Sequence, residues 1–281
     1  MEVNSAVQAV VRDTVAQSGN KSDSGWILHH ILDSRYIDFE PFGRINLPEI
    51  HLFGIDISIT KHVVFMWLSM LILVLIFYFV SKSYKNSRVP KGLANVAELL
   101  VVFVRDDIAK PTIGKGFEKF LPYLLTVFFF ILTANFLGLF PYSATATSNI
   151  SVTATLAAIS FIVIQAGGIM KNGLAGYFKG LVPHGVPPLL LPILLVVEIL
   201  GLFTKPFALA IRLFANMTAG HIVILALLGL IFILKTVFVA PVSIAFALFI
   251  YLLEILVALI QAYIFTMLSS LFIGMAVHQE H

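Results

Sequence analysis

The sequence predicts an all-α integral membrane protein, with one N-terminal transmembrane helix, an interfacial amphipathic helix, a transmembrane hairpin and two long membrane helices. Three observations carry that class. The chain is 59% hydrophobic and only 12% charged, with a mean hydropathy of +0.98, whereas soluble domains carry about 25% charged residues. Residues 121–170 contain no Asp, Glu, Lys or Arg. Residues 180–279 contain only Glu198, Lys205, Arg212, Lys235 and Glu254, so each of those charges needs a partner or a wet surface.

Taken in order, residues 1–61 are of ordinary polarity and hold most of the acidic side chains. They read as a non-membrane extension, with residues 62–281 as the membrane domain. No apolar stretch follows Met1 and acids begin at Glu2, so neither a secretory signal nor an organellar presequence is expected. Residues 62–80 are uncharged and reach about 28 Å as a helix, enough to cross a bilayer. Lys82, Lys85, Arg88 and Lys91 follow. Residues 93–108 are apolar in part but bounded by Glu98, Arg105 and Asp107, the pattern of an amphipathic helix lying in the interface. Residues 121–140 and 150–170 form the hairpin, joined by the uncharged segment 141–149. The stretch 180–188, with three prolines and two glycines, reads as a stiff re-entrant connection.

The last two segments are too long to stand upright. Residues 189–234 would measure about 69 Å as one helix, and 241–277 about 55 Å, against a hydrocarbon core of about 30 Å. Each either breaks, with Pro192 and Pro206 as candidate kinks in the first, or lies tilted. Positive charge orients the whole: Lys82, Lys85, Arg88, Lys91, Arg105, Lys110, Lys115, Lys119, Lys171 and Lys179 fall in the connections on one side, against Lys235 in those on the other. The positive-inside rule therefore puts the N-terminus outside and the C-terminus in the cytoplasm.

Arg212 is the residue most in need of a function. A guanidinium in hydrocarbon costs about 3 kcal/mol on insertion scales and over 10 in simulations, so it marks a partner or an ion path. Glu198, Lys205 and Arg212 are spaced by seven, drift only about 20° per step and share a helical stripe. Asn216 extends that stripe. Glu254 and Gln261 are likewise seven apart on the next segment. His221 is nine residues past Arg212, the opposite face of a straight helix. Plainer readings stand beside these. Arg212 with Glu254 could be a structural ion pair, Lys205 a snorkelling side chain, Gln261 an interhelical hydrogen-bond donor, and His221 a packed imidazole; Asn135 is ambiguous.

Composition and motifs exclude several classes. The chain has no cysteine, which removes disulfides and thiolate metal sites. Neither a Gly-rich phosphate loop nor a HExxH pair occurs, so no catalytic, cofactor or metal site is expected. The net charge of +3 reflects loop residues, and no nucleic-acid partner is implied. A secondary transporter could bury Arg and Glu, but no half of the chain repeats the other. An intramembrane enzyme using Glu254 and His221 lacks a nucleophile motif.

The run Lys205-Pro206-Phe207-Ala208-Leu209-Ala210-Ile211-Arg212-Leu213-Phe214-Ala215-Asn216-Met217-Thr218-Ala219-Gly220-His221 resembles the signature of subunit a of the F-type ATP synthase. A second run from Glu254 through Gln261 and Tyr263, and a third from Asn135 to Pro141, match the same family in order. The resemblance covers residues 121–276 and not the first 60. It implies a proton-translocating stator subunit of the Fo sector, itself non-catalytic and without a nucleotide site, with two offset half-channels that meet a carboxylate on each subunit of the c-ring. Na+ is the alternative ion.

In family terms Arg212 separates the half-channels. Glu254 and His221 match the coupled pair of the outer one, with Asn216 nearby and Gln261 close to Arg212. Glu198 falls toward the inner one. Lys205, Asn135 and Tyr263 are weaker matches, placed by motif alone. One departure concerns the acid and the imidazole, which are exchanged relative to the enterobacterial pattern and sit as in mitochondrial relatives. The resemblance further implies steeply tilted final helices with Ala208, Ala215 and Ala219 at the rotor, partnership with peripheral-stalk b subunits and the lipid bilayer, and a bacterial inner membrane, or alternatively the mitochondrial one.

Overall fold

A computed structural model describes residues 34, 36–39, 43–48, 51–52, 55–56, 58–86, 92–140, 143, 145–180, 191–234 and 236–278. Most of the 1–61 extension and residues 181–188 of the re-entrant connection lie outside the described residues. Within the extension the chain forms two hairpins that the helical reading did not anticipate. Strand β1 (Tyr36–Phe39) pairs antiparallel with β2 (Gly43–Asn46), Tyr36 opposite Asn46 and Phe39 opposite Gly43. A second pair joins β3 (His51–Leu52) to β4 (Ile55–Asp56). Aromatic and β-branched residues such as Tyr36, Ile37 and Phe39 favour the pleat over the helix.

Five helices are long and apolar enough to cross a membrane, as the sequence led us to expect. Helix α1 (Lys61–Asn86) opens with the Lys61 amide donating to the Ser34 carbonyl at 3.1 Å. It buries His62, Phe65, Ser69 and Val80, and leaves Trp67, Leu71, Val74 and Tyr78 exposed. That uncovered apolar face suits lipid, which needs no polar partner.

Helix α2 (Leu93–Phe103) starts after Gly92, at φ 59°. It packs Ala94 and Ala97 against Val80 and Ile76 of α1 and exposes Leu93, Val96 and Leu99 beside Glu98. The amphipathic helix then runs further than the sequence implied. A π-helical turn, Val104–Ala109, carries it into a last short helix, Lys110–Ile113, which stops at Gly114 with φ 71°. On the exposed side of the turn, Arg105 grips Asp106 with two hydrogen bonds of 3.0 and 2.7 Å. That grip holds the Asp106 carboxyl below its ordinary range.

Helix α3 (Leu121–Gly138) is the most enclosed span, and Pro122 in its first turn sacrifices no needed amide. Leu124, Val127, Phe128, Phe129, Phe130, Ile131 and Leu132 all face the core. A 3-10 turn, Ala146–Ser148, leads to α4 (Ile150–Gly180). Tyr123 and Ser160 lock α3 to α4 through their hydroxyls at 2.5 Å. Gly173, at φ 71° and ψ 164°, breaks the helical geometry of α4, a conformation disfavoured for residues with a Cβ.

Helices α5 (Leu191–Leu234) and α6 (Ala240–Val277) run 44 and 38 residues. The choice left open by the sequence is resolved toward continuity: Pro192 sits in the first turn of α5, and Pro206 lies inside it without ending it. The chain packs as two units, and both long helices pass through both. One comprises Ser34–Met217 and Glu254–His281. Its core joins Val104, Ile108 and Ile113 to the α3 phenylalanines, Leu209 and Leu213 of α5, and Ala262, Phe265 and Ile273 of α6. In the other, Thr218–Leu253 includes the 3-10 turn Val237–Val239 and buries Ser243 and Ala247.

Candidate functional site

The charged seam is built on α5. Leu209, Ala210, Leu213 and Met217 are buried, and once that face is taken, helical periodicity turns Ala208, Arg212, Ala215 and Asn216 outward. Glu198 and Lys205 sit half-buried. Arg212 makes no hydrogen bond or ion pair among the described residues. Among the described residues no ion pair joins Arg212 to Glu254, the structural pairing left open by the sequence.

Glu198 and Lys205 do share a space. They line a cavity of about 320 Å³ together with Gln165, Tyr177, Phe272 and His278. The Lys205 ammonium lies 5.4 Å from the centroid of the Phe272 ring, a cation–π placement worth about 0.5–2 kcal/mol. Tyr177 reaches the cavity because α4 bends at Gly173. Its hydroxyl donates to Gln165 Oε1 at 2.6 Å, and its ring lies over Gly168, where an added Cβ would be 2.5 Å from Tyr177 Cε2. Burial holds the Tyr177 hydroxyl above the ordinary phenol range; the Gln165 bond opposes this and the Glu198 charge reinforces it.

On α6 the buried stripe runs Glu254, Ala258, Gln261, Ala262, Phe265. Glu254 and Gln261 are only 4% and 5% exposed, so their shared face points inward. Asn135 of α3 is wholly enclosed and donates from Nδ2 to the Ala258 carbonyl at 3.3 Å. Its Oδ1 accepts from the Thr147 hydroxyl at 2.6 Å. Tyr263 stands on the exposed side of α6, its ring 5.9 Å from that of Phe103. His221 is half-buried and belongs to the Thr218–Leu253 unit.

Among the residues singled out by sequence, Glu198 and Lys205 thus meet at one cavity. Glu254 and Gln261 share a stripe gripped by Asn135, while Arg212 and Asn216 share the open side of α5. Sequence reasoning missed Gln165, Tyr177, His278 and Thr147. The glycines Gly167, Gly168 and Gly173 were the available signal, because glycine marks sharp bends and close approaches.

Fold and site together define a polytopic membrane protein whose sparse charged and amide groups are concentrated on two long helices. A family model for the ATP synthase A chain matches residues 63–274, and the chain belongs to that family. It is 59% identical to an ATP synthase subunit a of Chloroherpeton thalassium over 258 residues, covering 90% of this chain and 77% of that one. A subunit a of Chlorobium phaeobacteroides is 56% identical over 260 residues, 91% of this chain and 77% of its own. One of Myxococcus xanthus is 54% identical over 229 residues, 81% and 75% of the two chains. These relatives are bacterial, and with its membrane-spanning helices the chain is a bacterial membrane protein.

Proposed function

We propose that the chain is the proton-translocating stator subunit of an Fo sector. It offers two offset half-channels to a c-ring, with Arg212 between them. The observation that supports this most directly is the state of Arg212, exposed on α5 beside Ala208 and Ala215 and unpartnered among the described residues. A guanidinium so placed within a membrane helix calls for a carboxylate from outside the chain. At about 4 Å and an effective dielectric near 20, such a pair gains about 4 kcal/mol, or about three pKa units on the arriving acid. That is enough to make a protonated rotor site release its proton. Because arginine stays charged at physiological pH, it also bars protons from crossing directly between the half-channels.

In this reading Glu254 and His221 serve the outer half-channel, with Asn216 nearby and Gln261 close to Arg212, and Glu198, beside Lys205, serves the inner one through the cavity it lines. The long helices lie steeply tilted against the c-ring, and b subunits of the peripheral stalk bind elsewhere on the chain. Residues 1–61 lie outside the cell membrane and the C-terminus lies in the cytoplasm. A membrane potential supplies about 2.3 kcal/mol per charge per 100 mV to bias rotation.

The test is ATP-driven acidification of inverted membrane vesicles carrying Arg212→Ala, with assembly and passive leak measured alongside. Pumping is expected to vanish while the complex remains assembled. Normal pumping would overturn the reading.

A further inference from the structure

We infer that Asn135 is a positioning residue, which fixes α6 between Glu254 and Gln261 and does not itself line a water path; this rests on the function proposed above. The side chains involved are sealed. Asn135, Thr147 and Ala258 are all 0% exposed. A backbone carbonyl can only accept, so the Nδ2 side of the carboxamide must face Ala258. That leaves Oδ1 toward Thr147 and obliges the threonine hydroxyl to donate. One carboxamide thereby ties three elements, α3, the 3-10 turn Ala146–Ser148 and α6, with its orientation set at both ends.

The place of attachment is what gives the tie a functional meaning. Ala258 is four residues after Glu254 and three before Gln261, on the same buried stripe of α6. The Ala258 carbonyl has a second lone pair beyond its helical bond, so the grip need not unwind the helix. Other polar links reach α6 further along. Thr112 and Ser270 join hydroxyls at 2.5 Å, and Asn172 donates to the Ala276 carbonyl at 3.0 Å, about 18 and 27 Å along the helix from Ala258. They hold the far end of α6, whereas the Asn135 bond sets its axial rotation where the acid and the amide project. Groups that pass a proton tolerate displacements of about 0.5 Å.

Thr147→Val and Thr147→Ser test this without touching Glu254 or Gln261. The valine keeps the volume and removes the donor, stranding Asn135 Oδ1 in a buried site; the serine keeps the donor. ATP-driven acidification per assembled complex, measured across pH in inverted vesicles, is expected to fall about fivefold in Thr147→Val, with a displaced pH profile. Thr147→Ser should stay within about twofold of the parent and keep its profile. Equal behaviour of the two variants, a parental rate and profile in Thr147→Val, or a loss explained entirely by reduced assembly would each overturn the positioning role. Arg212→Ala run in parallel separates the two levels. If it pumps normally the functional reading falls, whereas a dead Arg212→Ala beside a normal Thr147→Val overturns the positioning role alone.

Discussion

Glu254 and His221 pose the sharpest question at the scale of single residues. A carboxyl buried to 4% exposure in a membrane helix is costly unless it exchanges protons or is well paired, and an imidazole can both accept and donate a proton through its two ring nitrogens. Glu254→Gln and His221→Ala are each expected to slow ATP-driven acidification at least tenfold with normal assembly, the loss associated with removing a proton-transfer group. A parental rate in either variant would remove that residue from the relay. The seven-residue spacing of Glu254 and Gln261 made their common buried face legible, because helical period fixes which side chains share a face. The same spacing on α5 did not reveal that Glu198 and Lys205 line a cavity while Arg212 is exposed. The partners of Asn135 were not legible. Its bond to Ala258 spans 123 positions, and no local pattern encodes a contact between segments that distant. Tyr177, Gln165 and His278 escaped notice for the same reason, since they meet only after α4 bends.

Among the helices, glycines mark where the packing is tightest and yield opposite expectations in different settings. A Cβ at Gly274 of α6 would come 2.2 Å from the Thr112 carbonyl oxygen. That oxygen is backbone and cannot step aside as a flexible side chain would. Gly274→Ala should therefore destabilise the protein by about 1–3 kcal/mol. Gly201 of α5 has nothing within 4 Å of an added Cβ, and Gly201→Ala should gain about 0.5–1 kcal/mol from helix propensity. Thermal denaturation of the purified complex, read as a lower midpoint for the first variant and an equal or higher one for the second, checks both. The sequence left α5 free to break at Pro192 or Pro206. It stays whole because a proline in the first turn forfeits no helical bond, and the gap left by Pro206 is tolerated within an otherwise regular helix. The continuation past Ile108 into the short helix Lys110–Ile113 was hidden by the charges of Arg105, Asp106 and Asp107, which lie on the exposed side of a widened turn.

For the molecule as a whole, the distribution of Lys and Arg is the strongest statement about how it sits in a bilayer. The absence of native cysteine makes that statement easy to test with single-cysteine variants. Lys115→Cys, at an exposed position, should react with a membrane-impermeant maleimide in inverted vesicles. Phe140→Cys, also exposed, should react in right-side-out preparations; the reverse pattern would overturn the orientation. The class of fold and the five spans were readable from composition and length, whereas the hairpins of residues 36–56 were not, being short pairings within a polar segment. The π turn Val104–Ala109 also bears on how the chain tolerates a change in its length. Val104 and Ile113 are both buried, at 0% and 1% exposure, yet nine positions of regular α-helix would put them about 180° apart. A wider turn absorbs the surplus, which makes the segment equivalent to a helix with one residue inserted. Removing Asp106 alone should therefore be accepted, restoring ordinary helical winding and a complex that still assembles, whereas deleting one residue from the regular stretch Leu93–Phe103 should not. In a lineage of related chains, that turn is where a gain or loss of a single codon would pass unpunished.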